Sequence, residues 1–159
     1  MDTSASAAPS GYHSVTPYLA VESASAAIDF CRTVFAATER MRMTTPDGKI
    51  AHAEIVIGDS TVMLADEFPD MDHKSPRAFG GSPVSIHVYV SDVDATAERA
   101  VAAGATMIRP VENQFYGDRM GTFADPSGHL WHVATHVEDV APDELERRAA
   151  VAMRDAAGG

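Results

Sequence analysis

The sequence contains little cysteine, little positive charge and no long apolar run, and each shortage excludes a class of protein. Cys31 is the single cysteine, so neither an intramolecular disulfide nor a cysteine-based zinc site can form. The chain has 12 Lys and Arg against 23 Asp and Glu, a net charge of −11, which argues against nucleic acid or an anionic membrane as main partner. No apolar run approaches the roughly 20 residues that span a membrane. A reducing cytoplasm is the expected compartment.

Short catalytic motifs are missing as well. The sequence has no glycine-rich phosphate loop of the Walker or Rossmann type, no GxSxG and no HExxH. What it does have is an apolar content of 45%, which is ample for a packed core. Cys31 stands in a helical pattern and is expected to be a small buried hydrophobic residue.

The two halves of the chain repeat one order of predicted elements. Alternation predicts a first strand over 14–21, in which Pro17 indicates a sheet edge or a strand start. A helix follows with Ser23 or Ser25 as its N-cap. Further strands are predicted over 39–45, 50–57 and 60–65. The second half repeats this pattern as a strand over 84–90, a helix over 93–103 and strands near 107–111, 119–124 and 129–135. The pattern predicts an α+β fold in which one βαβββ module is used twice.

The module boundaries follow from this repeat. Residues 1–12 lack the charged and apolar regions of a signal peptide and are expected to form a flexible tail. The first module is predicted over 13–66 and the second over 83–136. The linker loop 67–82 is rich in Pro, Gly, Ser and charges, and 137–159 is predicted to be a helical extension starting near Pro142.

Strand periodicity separates a core face from a cavity face. The predicted core face of the second module consists of Val84, Ile86, Val88, Val90, Trp131 and Val133. The opposite face carries Ser85, His87, Tyr89, Leu130, His132, Ala134 and His136. Thr16, Tyr18 and Ala20 take the cavity face of the first strand. We therefore expect Tyr18, His87, Tyr89 and His132 to converge on a half-polar surface of the kind that binds small molecules.

The remaining histidines have simpler interpretations. His129 follows Gly128 at the predicted turn DPSG and is expected to be structural or exposed. His136 ends its strand and is expected to pair with Glu138 or Asp139. His52 and Glu54 alternate on one strand face, where a solvated or cross-strand polar pair is favoured over a catalytic pair.

The segment QFYGDRMG at 114–121 is a second candidate region. Asp118 and Arg119 are expected to form an ion pair at the start of a strand. The alternative is that Arg119 binds an anionic group of a substrate, with Gln114 and Tyr116 at the mouth of the pocket.

Two tandem βαβββ modules carry VTPYLAV and AAIDFC in the first half and VYVSDVDA, AVAAGAT and DPSGHLW in the second. Together these stretches resemble the vicinal oxygen chelate superfamily, which includes glyoxalase I, extradiol dioxygenases, fosfomycin-modifying enzymes and metal-free bleomycin-binding proteins. HAEIVIGDSTVMLADE, QFYGDRMG and DPSGHLWHVATHVEDV look most like the PhnB-like branch. The resemblance covers about residues 12–145 and implies curved half-sheets around a cavity.

The resemblance also implies four metal-ligand positions, on the first and fourth strands of each module. They are occupied by Thr16, Met63, Ser85 and His132. Only the imidazole is an ordinary ligand for Zn²⁺, Ni²⁺ or Fe²⁺, so no metal cofactor is expected.

Three functions therefore remain open. The first is metal-independent binding of a small organic molecule by Tyr18, Ser85, His87, Tyr89, Gln114, Tyr116, Arg119 and His132. The second is a metal-dependent lyase, isomerase or dioxygenase that uses His87, His132 and a carboxylate. The third is a metal-free enzyme in which His132 or His87 is a general base. A homodimer is expected from the resemblance and from the apolar stripe Leu145, Ala149 and Met153.

Overall fold

The computed structural model describes residues 7–158 and confirms the α+β fold with its two modules. The first six residues of the predicted flexible tail, and Gly159, lie outside the described residues. The chain divides into two compact units, of which the first includes residues up to Pro83 together with Pro126–His129. The second includes Val84–Asp125 and continues from Leu130.

The first module is a four-stranded mixed sheet with one helix on it. Its elements are β1 (Tyr18–Val21), α1 (Ala24–Phe35), β2 (Thr38–Thr44), β3 (Ile50–Ile57) and β4 (Ser60–Asp66). The strand order is β1-β4-β3-β2, with β1 parallel to β4 and the other pairs antiparallel.

The second module repeats this topology. Its elements are β5 (Ser85–Tyr89), α2 (Val93–Ala102), β6 (Thr106–Asn113), β7 (Asp118–Ala124) and β8 (Leu130–His136). The order is β5-β8-β7-β6, and β5 is parallel to β8. Even the register is repeated: Tyr18 is opposite Met63 in the first sheet, and His87 is opposite His132 in the second.

Both module helices begin at a side-chain cap, and that of α1 is one of the two that the sequence predicts. Ser23 caps α1 by accepting a hydrogen bond from the backbone N–H of Ala26, and Asp92 caps α2 by accepting one from Ala95. Because each helix packs against its own sheet, Cys31 on α1 is buried, and so are Trp131 and Val133 on β8. The core faces predicted for α1 and β8 are therefore confirmed.

Two predictions for the first strands are wrong. β1 begins at Tyr18 rather than at residue 14, because Pro17 has no N–H to donate to a ladder. The interpretation of Pro17 itself is confirmed, since the strand starts directly after it and lies at the sheet edge. Val84 is not a core residue: it precedes β5 and is 69% exposed. Ile86 and Val88 are only half-buried because α2 packs on β6, β7 and β8 and leaves β5 uncovered.

The segment after β4 is more ordered than its composition predicts. It contains two short 3-10 helices, Pro69–Met71 and Pro76–Phe79. The turn that precedes β8 packs on this segment, since the Arg77 guanidinium donates to the Pro126 carbonyl at 2.7 and 3.1 Å. His129 Nε2 lies 2.8 Å from the Ala20 carbonyl oxygen, so this histidine has the expected structural role.

The C-terminal extension forms α3 (Pro142–Ala157), as predicted from Pro142 and the acidic first turn. None of its residues is fully buried. The Arg148 guanidinium ties α3 to the preceding segment by pairing with Glu138 at 2.7 Å, and it also pairs with Glu144 within the helix at 2.7 Å. Within residues 7–158, no helix combines the length and the apolar character that crossing a membrane requires.

Candidate ligand-binding site

Three aromatic side chains form a cluster on the uncovered face of the second sheet, which we call the ring platform: His87, Tyr89 and His132. The ring centroids of His87 and Tyr89 are 4.8 Å apart, and those of His87 and His132 are 6.2 Å apart. The strands place these rings on one face, because His87 of β5 is the register partner of His132 on the parallel strand β8. Tyr89 lies two residues after His87 and therefore points to the same face. Tyr89 is 64% exposed, so the platform is open to a ligand.

His132 is the least exposed member of the ring platform. Burial lowers the pKa of its imidazole, and the neighbouring His87 lowers it further. Its Nδ1 lies 2.7 Å from Thr122 Oγ1, and Thr122 is buried on β7. This contact fixes the ring orientation. Because its pKa is lowered, His132 presents an uncharged imidazole at neutral pH.

The buried carboxylate of Asp118 contacts the ring platform at Tyr89. The Tyr89 hydroxyl donates to Asp118 Oδ2 at 3.1 Å, and this hydrogen bond raises the pKa of Tyr89. Asp118 Oδ1 also binds His136 Nδ1 at 2.8 Å, while His136 Nε2 binds Asp139 at 2.8 Å. The predicted pairing of His136 with Asp139 is therefore confirmed, and Asp118 is an additional partner.

His136 and His132 are expected to change stability with pH in opposite directions. The hydrogen bonds to Asp118 and Asp139 raise the pKa of His136, so its stabilising effect is complete below the unfolded-state value near 6.5 and is lost as pH rises through the folded-state value. The lowered pKa of His132 has the reverse sign: stability decreases as pH falls from about 6.5 through the folded-state value.

Urea denaturation of the wild type, His136→Asn and His132→Asn between about pH 5 and 8 measures both effects. The difference between wild type and His136→Asn should shrink towards high pH. The wild type should gain relative to His132→Asn as pH rises. Two differences with the same pH slope would contradict the assigned hydrogen bonds.

The four positions at which the resemblance implies metal ligands do not suit a divalent metal. In the first module, Thr16 Oγ1 donates to the His13 carbonyl at 3.4 Å, and Met63 offers a thioether. In the second module, Ser85 is the register partner of Leu130 and offers only a hydroxyl, and His132 Nδ1 already contacts Thr122. Over residues 7–158, no three His, Cys, Asp or Glu side chains are grouped to hold a metal ion. The donors present do not fit the superfamily's metal site.

The segment QFYGDRMG is divided between the two faces of the second sheet. The predicted ion pair between Asp118 and Arg119 does not form. Instead the Arg119 guanidinium binds Asp94 of α2 through two hydrogen bonds of 2.7 Å, on the helix-covered side. Strand alternation is the reason, since neighbouring residues of β7 point to opposite faces.

The other two pocket residues predicted in this segment have local partners. Tyr116 OH donates to the Met120 sulfur at 3.5 Å, and burial raises the pKa of its phenol. Gln114 lies in the turn before β7, where its side-chain amide donates to the Glu112 carbonyl. Tyr116 therefore lies on the side of Asp118 and the ring platform, whereas Arg119 does not.

Tyr18 belongs to a hydrogen-bonded chain in the first module. Its hydroxyl lies 3.1 Å from His52 Nδ1, and His52 Nε2 lies 3.1 Å from Glu54 Oε1. The Tyr12 hydroxyl donates to Glu54 Oε2, which lowers the pKa of the carboxyl. Glu54 is only 4% exposed, so of the two expected alternatives the solvated pair is wrong, whereas the contact of His52 with Tyr18 on β1 fits a cross-strand polar face.

Most of these partners have no signature in the sequence. Thr122 and Asp118 contact His132 and Tyr89 from other strands, and the pairing follows from sheet register rather than from spacing along the chain. Tyr12 reaches Glu54 across 42 residues. The alternation of His52 and Glu54 was a usable signal, since it places both side chains on one face.

Comparison with known proteins gives one family. A model of the Glyoxalase/Bleomycin resistance protein/Dioxygenase superfamily matches residues 11–133. The uncharacterised protein Mb0911c of Mycobacterium bovis is 44% identical over 135 residues, which are 83% of this chain and 89% of that protein.

Solved structures agree on the fold. TioX from Micromonospora sp. ML1 aligns with a TM-score of 0.58 and 28% identity, covering 77% of this chain and 98% of that one. A PhnB protein from Bacillus cereus, described as a putative 3-demethylubiquinone-9 3-methyltransferase, aligns with a TM-score of 0.60 and 16% identity over 77% and 99% of the two chains. The chain belongs to the Glyoxalase/Bleomycin resistance protein/Dioxygenase superfamily.

Proposed function

We propose that this protein binds and sequesters a small planar organic molecule on the ring platform, without a metal. The observation that carries the proposal is the contact of His87 with both Tyr89 and His132 on an open sheet face. Aromatic rings contribute large contact areas at low cost in side-chain entropy, and their faces stack on flat ligands. Ser85 borders the same face.

The chemistry of the platform favours an uncharged ligand with hydrogen-bonding groups. His132 is held neutral by burial, and the Tyr89 hydroxyl is directed to Asp118. Arg119 is occupied by Asp94, so it supplies no free cation for an anionic ligand. A planar heteroaromatic compound meets these conditions, because it stacks on the rings while its ring nitrogen or carbonyl oxygen pairs with an imidazole.

General-base catalysis by His132 is the second candidate. Its imidazole is unprotonated at neutral pH, and Thr122 fixes its orientation, as a base requires. Under this alternative a bound ligand is converted, whereas under sequestration it is recovered unchanged. Mass spectrometry of ligand recovered after overnight incubation distinguishes the two.

The proposal also includes the family branch, the compartment and the oligomeric state. We place the protein in the PhnB-like branch, on the stretches quoted above, and in the cytoplasm as a homodimer without nucleic-acid or membrane partners. The net charge of −11 disfavours polyanions, and Met153 on α3 is 70% exposed in one chain, as expected for a side chain covered by a partner. A monomer in sedimentation at micromolar concentration would contradict the homodimer.

A ligand screen tests the binding function directly. Thermal shift against a library of planar heteroaromatic compounds should yield ligands that stabilise the wild type. His87→Ala and Tyr89→Ala should each weaken the best of them about tenfold or more, because each removes a stacking surface. His13→Ala removes an exposed histidine that is not part of the platform and should leave binding unchanged. Equal loss in His13→Ala, or none in His87→Ala, would exclude the platform.

A further inference from the structure

The first module contains a separate pocket that the ring platform does not use. It has a volume of about 280 Å³ and is lined by Tyr18, His73, Lys74, Phe79, Ser82 and His129, among others. The 3-10 segment after β4 forms one wall and β1 forms the other. We propose that this pocket is a second ligand site, for a small aromatic carboxylate that also carries a hydroxyl group.

The walls of the pocket carry aromatic rings, which favour an aromatic ligand. The rings of Tyr18 and His73 meet edge to face, with centroids 5.5 Å apart and planes at 89°. Phe79 is 66% exposed although it belongs to a wall. Three rings around a concave surface favour a flat aromatic body, which both edges and faces can contact.

The carboxylate follows from the charges. Lys74 is one of two lysines in the chain, and its ammonium lies 2.9 Å from Asp72 Oδ1. The Asp72 side chain is 85% exposed, so water screens this pair and a ligand carboxylate can replace it. His73 adds a buried ring nitrogen, Nε2, that has no hydrogen-bond partner within residues 7–158.

The hydroxyl group of the ligand is inferred from the chain of hydrogen bonds that links Tyr18, His52 and Glu54. Glu54 is buried and ionised, so it accepts a hydrogen bond from His52 Nε2–H at 3.1 Å. With the ring proton placed on Nε2 by this contact, Nδ1 is the acceptor, and the Tyr18 hydroxyl donates to it at 3.1 Å. The proton of Tyr18 therefore points to His52, and its oxygen lone pairs remain for the pocket. A ligand O–H matches this acceptor, whereas an ether does not.

Matched probes test the assignment. In ¹H–¹⁵N spectra at pH 7.5, 4-hydroxybenzoate at millimolar concentration should shift the amide signals of Tyr18, His73 and Lys74. 4-Methoxybenzoate, which keeps the carboxylate and loses the donor, should bind about tenfold more weakly, the effect of one lost hydrogen bond to the Tyr18 oxygen. Tyr18→Phe should bind the two probes equally well, since phenylalanine has no acceptor.

The charge is tested with the two lysines. Lys74→Met should weaken 4-hydroxybenzoate about tenfold or more, whereas Lys49→Met removes the same charge outside the pocket and should have little effect. The spectra also show that each variant is folded. Absence of binding by the wild type, equal affinity for both probes, or equal loss in the two lysine variants would each overturn the proposal. His87→Ala should not affect these probes, so this site and the ring platform fail or succeed independently.

Discussion

Trp131→Ala is expected to destabilise the protein by about 3–5 kcal/mol, which is a large part of the stability of a small domain. Trp131 has no exposed surface and is the largest fully buried side chain of the described residues. On β8 it lies between Ile86 of β5 and Phe123 of β7, its register partners, so its removal leaves a cavity in the centre of the second sheet. Urea or thermal denaturation measures the loss.

Two controls isolate the cause of this loss. Trp131→Phe keeps most of the packing but removes the indole N–H that donates to Asp125 Oδ2 at 2.9 Å, and should cost about 1–3 kcal/mol. Tyr89→Ala removes an aromatic ring that is 64% exposed and should cost much less than Trp131→Ala. A similar cost for Tyr89→Ala and Trp131→Ala would show that burial in this sheet is assigned wrongly.

Gly117→Ala is expected to destabilise the protein by about 2–6 kcal/mol, through backbone strain and overpacking together. Gly117 has φ of +99°, a conformation that L side chains rarely adopt. An alanine Cβ would stand 2.1 Å from the Glu138 carbonyl oxygen and 3.1 Å from Val140 Cγ2. The Gly117 carbonyl also accepts hydrogen bonds from the backbone N–H groups of Val137 and Glu138. The clash therefore displaces the segment that leads into α3.

Gly48→Ala is the matched control for this prediction. Gly48 has φ of +88°, close to that of Gly117, but no atom lies within 4 Å of the added Cβ. Its substitution should cost only the backbone strain, about 1–3 kcal/mol. If Gly117→Ala costs no more than Gly48→Ala in chemical denaturation, the close approach of residues 137–140 to the turn is absent in solution.

The sequence predicts the fold well because the repeat fixes both element order and face. Alternation assigns Trp131 and Val133 to the core and His132 to the open face, and the structure agrees. Alternation does not indicate whether an apolar residue is covered by a helix. Val84 is apolar and in phase with Ile86, yet it is exposed, since it precedes β5 and no helix packs there.

The candidate site is predicted only in part, because its contacts cross strands. His87, Tyr89 and His132 can be assigned to one face from periodicity alone. Their fixed partners cannot: Thr122 and Asp118 come from β7, and only the sheet register brings them close. The sequence predicts the adjacent Asp118 as the partner of Arg119, but side chains of neighbouring strand residues point to opposite faces. The guanidinium pairs with Asp94 on α2 instead.

Elemental analysis separates metal-independent binding from metal-dependent chemistry. Protein purified without chelator should contain no stoichiometric Zn²⁺, Ni²⁺, Fe²⁺ or Mn²⁺, and a screened ligand should bind equally well before and after chelator treatment. His132→Ala should weaken that ligand without changing the metal content, since Thr16, Met63 and Ser85 are poor ligands. Stoichiometric metal in the wild type that is lost in His132→Ala would contradict metal-independent binding.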